Sequence, residues 1–232
     1  MSSASSSEFR FQHASDQSLL VHFGQEISLE IHEKILAFLK LCEAEPVKGI
    51  VNLHPAYCSI LVKFDAIHFT HSDIESQLRP YFARLHEISL PEPRMREIPI
   101  CYGAERGPDL PDVASLHGTT EAEVVRLHSS AKYIVYFMGF VPGFAYLGGL
   151  PAELETPRLS SPRKRVPAGS VAIGGSQTGV YPIATPGGWR LIGQTPIQLF
   201  RPEAEEKSFL AIGDRVVFVP ISEEKFREFA TA

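Results

Sequence analysis

The sequence has 232 residues, of which 44% are hydrophobic and 21% are charged, and its formal net charge is −5. This composition excludes collagen-like, coiled-coil and wholly disordered chains, and the length suits two modest domains or one large β domain. No apolar run reaches the roughly 18 residues of a bilayer-spanning helix, so we expect no transmembrane segment.

Residues 9–92 are predicted to form a small α/β domain, preceded by a disordered Ser-rich tail over residues 1–8 in which no secretory signal is expected. Its predicted elements are strands over 9–11 and 19–23, a helix capped by Ser28, strands over 49–53 and 59–64, and a helix opened by a capping box at Ser72 and Glu75. Two successive β-β-α units predict an antiparallel sheet backed by helices. The proline-rich segment 91–99 is the expected linker.

Residues 93–232 are predicted to form a β domain with a helical insert. The predicted elements are a short helix over 113–117 capped by Asp109 or Asp112 and ended by Gly118, a helix opened by Thr120 and Glu123, strands over 133–138 and 216–219, and a terminal helix over 222–229. Between Gly139 and Pro196 the chain holds 11 of the 17 glycines and 8 of the 18 prolines. Aromatic and branched side chains interrupt that run, so we predict a compact domain with many tight turns rather than disorder. Pro186 and Gly187 are expected to form a type II turn.

The cysteines and histidines do not predict a metal site. Cys42, Cys58 and Cys101 are odd in number and far apart, which is typical of a reducing compartment such as the cytoplasm and not of a disulfide framework. His68 and His71 have the spacing of a ligand pair but no evident third ligand. We therefore expect no bound metal in this chain.

Charge is distributed unevenly along the sequence. Residues 156–202 contain no Asp or Glu and carry +6, which leaves −11 for the rest of the chain. The six cations are Arg158, Arg163, Lys164, Arg165, Arg190 and Arg201. Such a segment indicates an anionic small ligand or an acidic partner surface, and does not indicate nucleic-acid binding. The alternative is a solvated basic loop.

Arg158 and Arg163 end two Thr/Ser-Pro-Arg tripeptides, in which proline stiffens the backbone, and Arg165 follows two residues after the second tripeptide. A rigid guanidinium loses less entropy when it binds a carboxylate or a phosphate. Ser170 and the pair Gln177–Thr178 follow in glycine-rich turns that offer hydroxyl and backbone N–H groups. A binding site is the favoured interpretation, and pairing of these arginines with acids elsewhere is the alternative.

A second cluster, residues 139–150, places aromatic side chains on a Gly/Pro loop after a buried strand. Phe140, Pro142 and Tyr146 are its candidate site residues, as a wall of a pocket or of a partner groove. A plain hydrophobic turn cluster explains the pattern almost as well. The chain has no phosphate-binding loop, no dinucleotide turn and no nucleophile elbow, so no catalytic residue is assigned.

An ordered set of motifs in the second half of the chain resembles one known family. The motifs are Gly139–Leu150, Pro157–Arg158, Pro162–Arg163, Val166–Val171, Gln177–Pro182, Pro186–Trp189 and Ile192–Gly193, with weaker matches at His54–Tyr57 and Gly213–Val216. The sequence is identified as a member of the family known as the 5-oxoprolinase B-subunit, as allophanate hydrolase subunit 1, or as KipI, the sporulation-kinase inhibitor.

The resemblance implies an α+β protein, with the N-terminal α/β domain followed by a cyclophilin-like β-barrel. It implies a non-autonomous subunit of an ATP-dependent hydrolase that opens 5-oxo-L-proline to L-glutamate, together with a KipA-like C-subunit and the A-subunit of 5-oxoprolinase. ATP, with Mg²⁺, would act in that complex. By the same resemblance, Arg158, Arg163, Arg165, Ser170, Gln177, Thr178, Tyr181 and Trp189 are expected to face a pocket or the partner.

Two other functions remain open at this point. One is a regulatory protein that inhibits a sensor histidine kinase, and the other is a subunit of an allophanate or urea amide-hydrolysing system. All three place the protein in the cytoplasm as part of a hetero-oligomer, without nucleic acid or membrane as a partner.

Overall fold

The computed structural model describes residues 9–231, and the tail expected at residues 1–8 lies outside them. The described chain divides into two compact units, of which the first ends at Glu92 and the second begins at Pro93.

The first unit is a four-stranded antiparallel sheet with two helices on one face. Its elements are β1 (Arg10–Ser15), β2 (Ser18–His22), α1 (Leu29–Ala44), β3 (Ile50–Pro55), β4 (Ser59–Phe64) and α2 (His71–Ala83). The strand order is β1-β2-β4-β3. Alternate residues of the two central strands, such as Val21 and Val62, are buried against Phe38 of α1 and Leu78 of α2. The predicted helix-backed antiparallel sheet is confirmed.

Local capping fixes where the two helices begin. Ser28 accepts a hydrogen bond from the Ile31 amide at 3.2 Å, as predicted for α1. The predicted box at Ser72 and Glu75 is wrong, because α2 begins two residues earlier with a box formed by Thr70 and Asp73. The Asp73 carboxylate accepts from the Thr70 amide at 2.8 Å, and the Asp73 amide donates to the Thr70 hydroxyl at 3.3 Å.

The second unit is built on a closed seven-stranded barrel. Its strands, in the order in which they neighbour one another, are β10 (Gln177–Val180), β7 (Ala145–Gly148), β6 (Tyr133–Met138), β13 (Arg215–Pro220), β5 (Met95–Tyr102), β12 (Arg190–Gln194) and β9 (Ser170–Gly174). β13 and β5 are parallel, and the other pairs are antiparallel. The pair β8 (Arg163–Val166) and β11 (Thr185–Gly187) forms a separate two-stranded sheet.

Three helices complete the second unit: α3 (Leu110–Leu116), α4 (Glu121–Ser130) and α5 (Glu223–Thr231). The insert α3–α4 places Val113 and Val124 in the barrel core, which also holds Ile98, Ile173 and Phe218. The predicted α+β class, a helix-backed sheet followed by a β-barrel, is confirmed.

Candidate functional site

A cavity of about 330 Å³ opens on the second unit, a size at the lower end of the roughly 300–1,000 Å³ typical of small-molecule sites. Five of the predicted site residues line it: Phe140, Tyr146, Arg158, Tyr181 and Trp189. The other lining residues are Phe144, Leu159, Pro162, Pro186, Gly187 and Gly188. The two motif clusters, separate in sequence, therefore form one site.

Arg158 is the only charged residue in that lining. Its guanidinium carbon lies 5.8 Å from the centroid of the Trp189 ring, a cation–π distance. No carboxylate oxygen of residues 9–231 lies within 4.0 Å of the Arg158 guanidinium, so Arg158 forms no ion pair with this part of the chain. The positive charge of Arg158 is thus not neutralised by the part of the chain that the structure describes.

The backbone that carries Arg158 is fixed on both sides. Thr156 and Gly175 exchange two backbone hydrogen bonds, of 3.1 and 2.7 Å, and the Leu159 amide donates to the Gly188 carbonyl at 2.7 Å. Because the flanking residues are held, the backbone of Arg158 is fixed beside the cavity, and its exposed side chain lies over the Trp189 ring.

Two glycines allow the buried aromatic wall to approach the backbone. A Cβ on Gly174 would lie 2.5 Å from the Trp189 ring, and a Cβ on Gly187 would lie 2.5 Å from the Tyr181 hydroxyl oxygen. The type II turn predicted at Pro186–Gly187 is wrong, because Gly187 lacks a positive φ and lies in β11 opposite Arg163. Glycine is required there for close packing, not for a turn.

Tyr181 is 3% exposed and packs edge-on to Phe144 with ring centroids 5.6 Å apart. Burial raises the pKa of its hydroxyl, against the opposing effects of a hydrogen bond from the Trp189 backbone and of the charges on Arg158 and Arg163. A tyrosine hydroxyl is protonated at neutral pH at its ordinary pKa, and the net rise leaves that of Tyr181 protonated as a hydrogen-bond donor.

Phe140 stands at the edge of the cavity in a strained conformation. Its φ is +64°, in the left-handed region that favours glycine, and 59% of the residue is exposed. The ring meets Phe144 edge-on at 5.5 Å. Strain of this kind costs about 1–3 kcal/mol and is typically kept where function requires it.

Replacing Phe140 with glycine is expected to change the free energy of unfolding by no more than about 1 kcal/mol, because relief of backbone strain offsets the greater freedom of glycine in the unfolded chain. Phe144→Ala is the matched comparison, since Phe144 is buried and its truncation should cost about 3–5 kcal/mol. Urea unfolding measures both. A loss of several kcal/mol in Phe140→Gly would show that Phe140 is a core residue instead.

Two other arginines of the basic segment form ion pairs, one with Asp109, which directly precedes α3, and one with Asp112 of α3. Arg163 Nη2 donates to Asp109 Oδ1 at 2.6 Å, and Arg190 Nη1 lies 3.4 Å from Asp112 Oδ2. Asp109 Oδ2 also accepts from the Leu191 amide at 2.7 Å. Asp109 is buried and Asp112 is exposed. The Asp109 carboxylate therefore joins β8 to β12, and these strands adjoin Pro162 and Trp189 of the cavity.

The remaining predicted site residues do not line the cavity. Ser170 and Thr178 are buried in the barrel, and Gln177 is half-buried at the start of β10. Pro142 and Arg165 are exposed, and Arg165 forms no ion pair with the carboxylates of residues 9–231.

Thr178 belongs to a chain of buried hydrogen bonds across the barrel. Its hydroxyl donates to the Ala172 carbonyl at 3.0 Å, so it accepts from His128 Nε2 at 2.9 Å. His128 Nδ1 then accepts from the Tyr102 hydroxyl at 2.8 Å. Complete burial lowers the pKa of His128 to about 3, which keeps the ring neutral in this tautomer.

Sequence reasoning missed the roles of Asp109 and His128. Asp109 was expected at most to cap α3, but its side chain makes no capping bond. His128 was expected only at the end of a helix. The sequence pattern at these two residues is weak. Asp109 stands just before a short helix, and His128 shares an apolar helix face with Val124, and neither position indicates a particular partner.

The part of the chain that the structure describes contains no cluster of three or more His, Cys, Asp or Glu suited to a metal ion. His68 bonds to Asp65 at 2.7 Å, and His71 bonds to the Ser15 carbonyl at 2.8 Å. None of the helices in residues 9–231 has both the length and the apolar character needed to cross a bilayer.

Comparison with known proteins defines the class. The model of the family described as "Carboxyltransferase domain, subdomain C and D" matches residues 9–210. The 5-oxoprolinase B-subunit of Bacillus subtilis is 41% identical over 231 residues, covering 95% of this chain and 96% of the relative. The chain belongs to the 5-oxoprolinase B-subunit family within that carboxyltransferase class.

More distant similarities reach larger proteins. The urea amidolyase of Saccharomyces cerevisiae is 26% identical over 92% of this chain but only 13% of its own length. The crystal structure of Kluyveromyces lactis urea carboxylase matches 98% of this chain and 23% of its own, with a TM-score of 0.77 and 21% identity. The second similarity shows that the fold is shared.

Proposed function

We propose that this chain is a non-autonomous subunit of an ATP-dependent 5-oxoprolinase, which hydrolyses the ring amide of 5-oxo-L-proline to give L-glutamate. The observation that carries the proposal is the 41% identity to a 5-oxoprolinase B-subunit along nearly the whole of both chains. The aromatic cavity with one unpaired arginine supports it, because a small anionic ring is the kind of ligand that such a site accommodates.

ATP, with Mg²⁺, is assigned to the complex and not to this cavity. The sequence has no phosphate-binding loop. A triphosphate carries several negative charges, whereas Arg158 is the only cation in the lining. The cavity therefore does not fit a nucleotide triphosphate, and the KipA-like C-subunit or the A-subunit is the proposed source of the ATP site.

The exposed residues of the two motif clusters are the proposed partner contacts. Phe140 and Pro142 on one loop, and Arg165 on β8, lie open to solvent. Exposed aromatic and arginine side chains are typical of the residues that dominate protein interfaces. The proposed location is the cytoplasm, which the free thiols of Cys42, Cys58 and Cys101 favour.

Reconstitution tests this function. The purified chain is mixed with the C-subunit, the A-subunit, MgATP and 5-oxo-L-proline, and glutamate and ADP are both quantified. We expect equimolar glutamate and ADP only when every component is present. The absence of ATP-dependent glutamate release from the complete, folded mixture would refute the proposal.

Two further functions are tested with the same preparation. Offering allophanate or urea in place of 5-oxoproline examines the urea-type system, which the distant urea amidolyase favours. Adding the chain to an autophosphorylating sensor histidine kinase examines the regulatory role. Activity on 5-oxoproline alone, with unchanged kinase phosphorylation, is the result that the main proposal requires.

A further inference from the structure

We propose that the aromatic cavity binds a small cyclic carboxylic acid, with the carboxylate paired to Arg158 and the ring against the aromatic lining. The identification of that ligand as 5-oxo-L-proline rests on the proposed function. The ligand class itself rests on the charge and shape of the cavity.

The charge of the cavity selects a single anion. Arg158 is the only charged residue in the lining, and no carboxylate of residues 9–231 pairs with it. A guanidinium presents two parallel N–H donors that match the two oxygens of a carboxylate. One unpaired arginine thus suits one carboxylate and provides too little charge for a polyphosphate.

The lining of the cavity favours a ligand in which a compact apolar ring carries that carboxylate. Five aromatic rings and two prolines make up most of the lining, and Trp189 and Tyr181 stand at 78° to each other. These two rings are nearly buried and form part of the apolar lining, and the exposed ring of Phe140 adds apolar surface at the edge of the cavity. The side-chain donors of the lining besides Arg158 are the hydroxyls of Tyr146 and Tyr181 and the indole N–H of Trp189, and the ring carbonyl of a lactam is an acceptor for such groups.

The cavity is already formed in this chain alone. The backbone on each side of Arg158 is held by the two hydrogen bonds between Thr156 and Gly175 and by the hydrogen bond from Leu159 to Gly188. All residues of the lining come from the second unit. We therefore expect the full-length chain to bind the ligand without its partner subunits.

Trp189 offers a direct readout, because it is the only tryptophan in the sequence. Its fluorescence is followed while 5-oxo-L-proline, 2-pyrrolidinone, which lacks the carboxylate, or MgATP is added to the full-length chain. We expect a saturable change with 5-oxo-L-proline, binding of 2-pyrrolidinone weaker by about tenfold to a hundredfold, and no saturable change with MgATP.

The variant Arg158→Gln should weaken binding of 5-oxo-L-proline by the same factor, about tenfold to a hundredfold, without changing binding of 2-pyrrolidinone. Arg201→Gln is the matched control: it removes an exposed arginine from the same acid-free segment but outside the cavity, and its affinity should equal that of the unmodified chain. Circular dichroism checks that each variant is folded.

Equal affinity for 5-oxo-L-proline and 2-pyrrolidinone, or an unchanged affinity in folded Arg158→Gln, would overturn the inference. Absence of any saturable response to 5-oxo-L-proline would overturn it as well. These results are separate from the reconstitution assay, since binding without glutamate release contradicts only the proposed function, and glutamate release without Arg158-dependent binding contradicts only this inference.

Discussion

Replacing Arg163 with methionine is expected to lower the free energy of unfolding of the second unit by about 3 kcal/mol. The substitution keeps the length of the side chain and removes its charge, which leaves the Asp109 carboxylate buried without its cation. The Asp109 side chain is 6% exposed and that of Arg163 is 29% exposed. The effect lies at the lower end of the range for buried ion pairs, because one Asp109 oxygen keeps its bond from the Leu191 amide.

Urea unfolding followed by Trp189 fluorescence measures this loss, since the only tryptophan of the chain lies in the second unit. Asp112→Ala is the matched control, because the Asp112 side chain is 65% exposed and its pair with Arg190 should contribute less than about 1 kcal/mol. Adding Asp109→Asn to Arg163→Met should recover part of the loss, since the amide oxygen can still accept from Leu191. If Arg163→Met costs no more than Asp112→Ala, the pair does not stabilise the fold.

Acidification is expected to destabilise the second unit through His128. The folded pKa of His128 lies near 3, below the ordinary value of 6.5, so only the unfolded chain takes up this proton between those values. Stability from this group is complete above pH 6.5 and falls as the pH is lowered toward 3. At about pH 5 the loss should be about 2 kcal/mol, from roughly 1.4 kcal/mol for each pH unit.

The measurement is urea unfolding, followed by Trp189 fluorescence, at a series of pH values from about 7 to about 5. Only two of the nine histidines, His117 and His128, belong to the second unit. His128→Asn should flatten the decline, whatever its cost at neutral pH, and the half-exposed His117→Asn should keep the decline. A flat profile in the unmodified chain, or an undiminished decline in His128→Asn, would contradict the account of the buried chain of hydrogen bonds.

Elements set by local patterns could be predicted from the sequence. The strand over 59–64 and the cap at Ser28 depend on alternation and on a three-residue spacing, and both are observed. The start of α2 could not be fixed in this way, because Thr70–Asp73 and Ser72–Glu75 are overlapping boxes with similar patterns. In the structure His71 bonds to the Ser15 carbonyl, a contact 56 residues away in sequence that no local pattern encodes.

The site was predictable as a pair of motifs but not as an arrangement. The sequence shows arginines on stiffened backbone and aromatic residues on a loop, and Arg158, Phe140 and Tyr146 of these do meet at one cavity, together with Tyr181 and Trp189 from the family resemblance. It does not show which arginines are neutralised, since Asp109 lies 54 residues from Arg163 in sequence. The need for glycine at positions 174 and 187 likewise could not be predicted, because it arises from the rings of Trp189 and Tyr181, which pack against these positions in the fold.

The uneven charge of the sequence takes a more specific meaning in the fold. Asp109, which directly precedes α3, pairs with Arg163, and Asp112 of α3 pairs with Arg190, so two of the six cations of the basic segment are paired internally. Arg158 remains unpaired within residues 9–231 and stands over the Trp189 ring. Lys164, Arg165 and Arg201 also form no ion pair within residues 9–231, but Arg158 is the cation of the segment that lines the cavity.

The most direct test of this account is ATP-dependent glutamate release by the reconstituted complex, compared between the unmodified chain and Arg158→Gln. We predict a fall in kcat/KM for 5-oxo-L-proline of about tenfold to a hundredfold, with complex formation unchanged by size-exclusion chromatography and Arg201→Gln as active as the unmodified chain. Equal kcat/KM in the unmodified and Arg158→Gln complexes would contradict it.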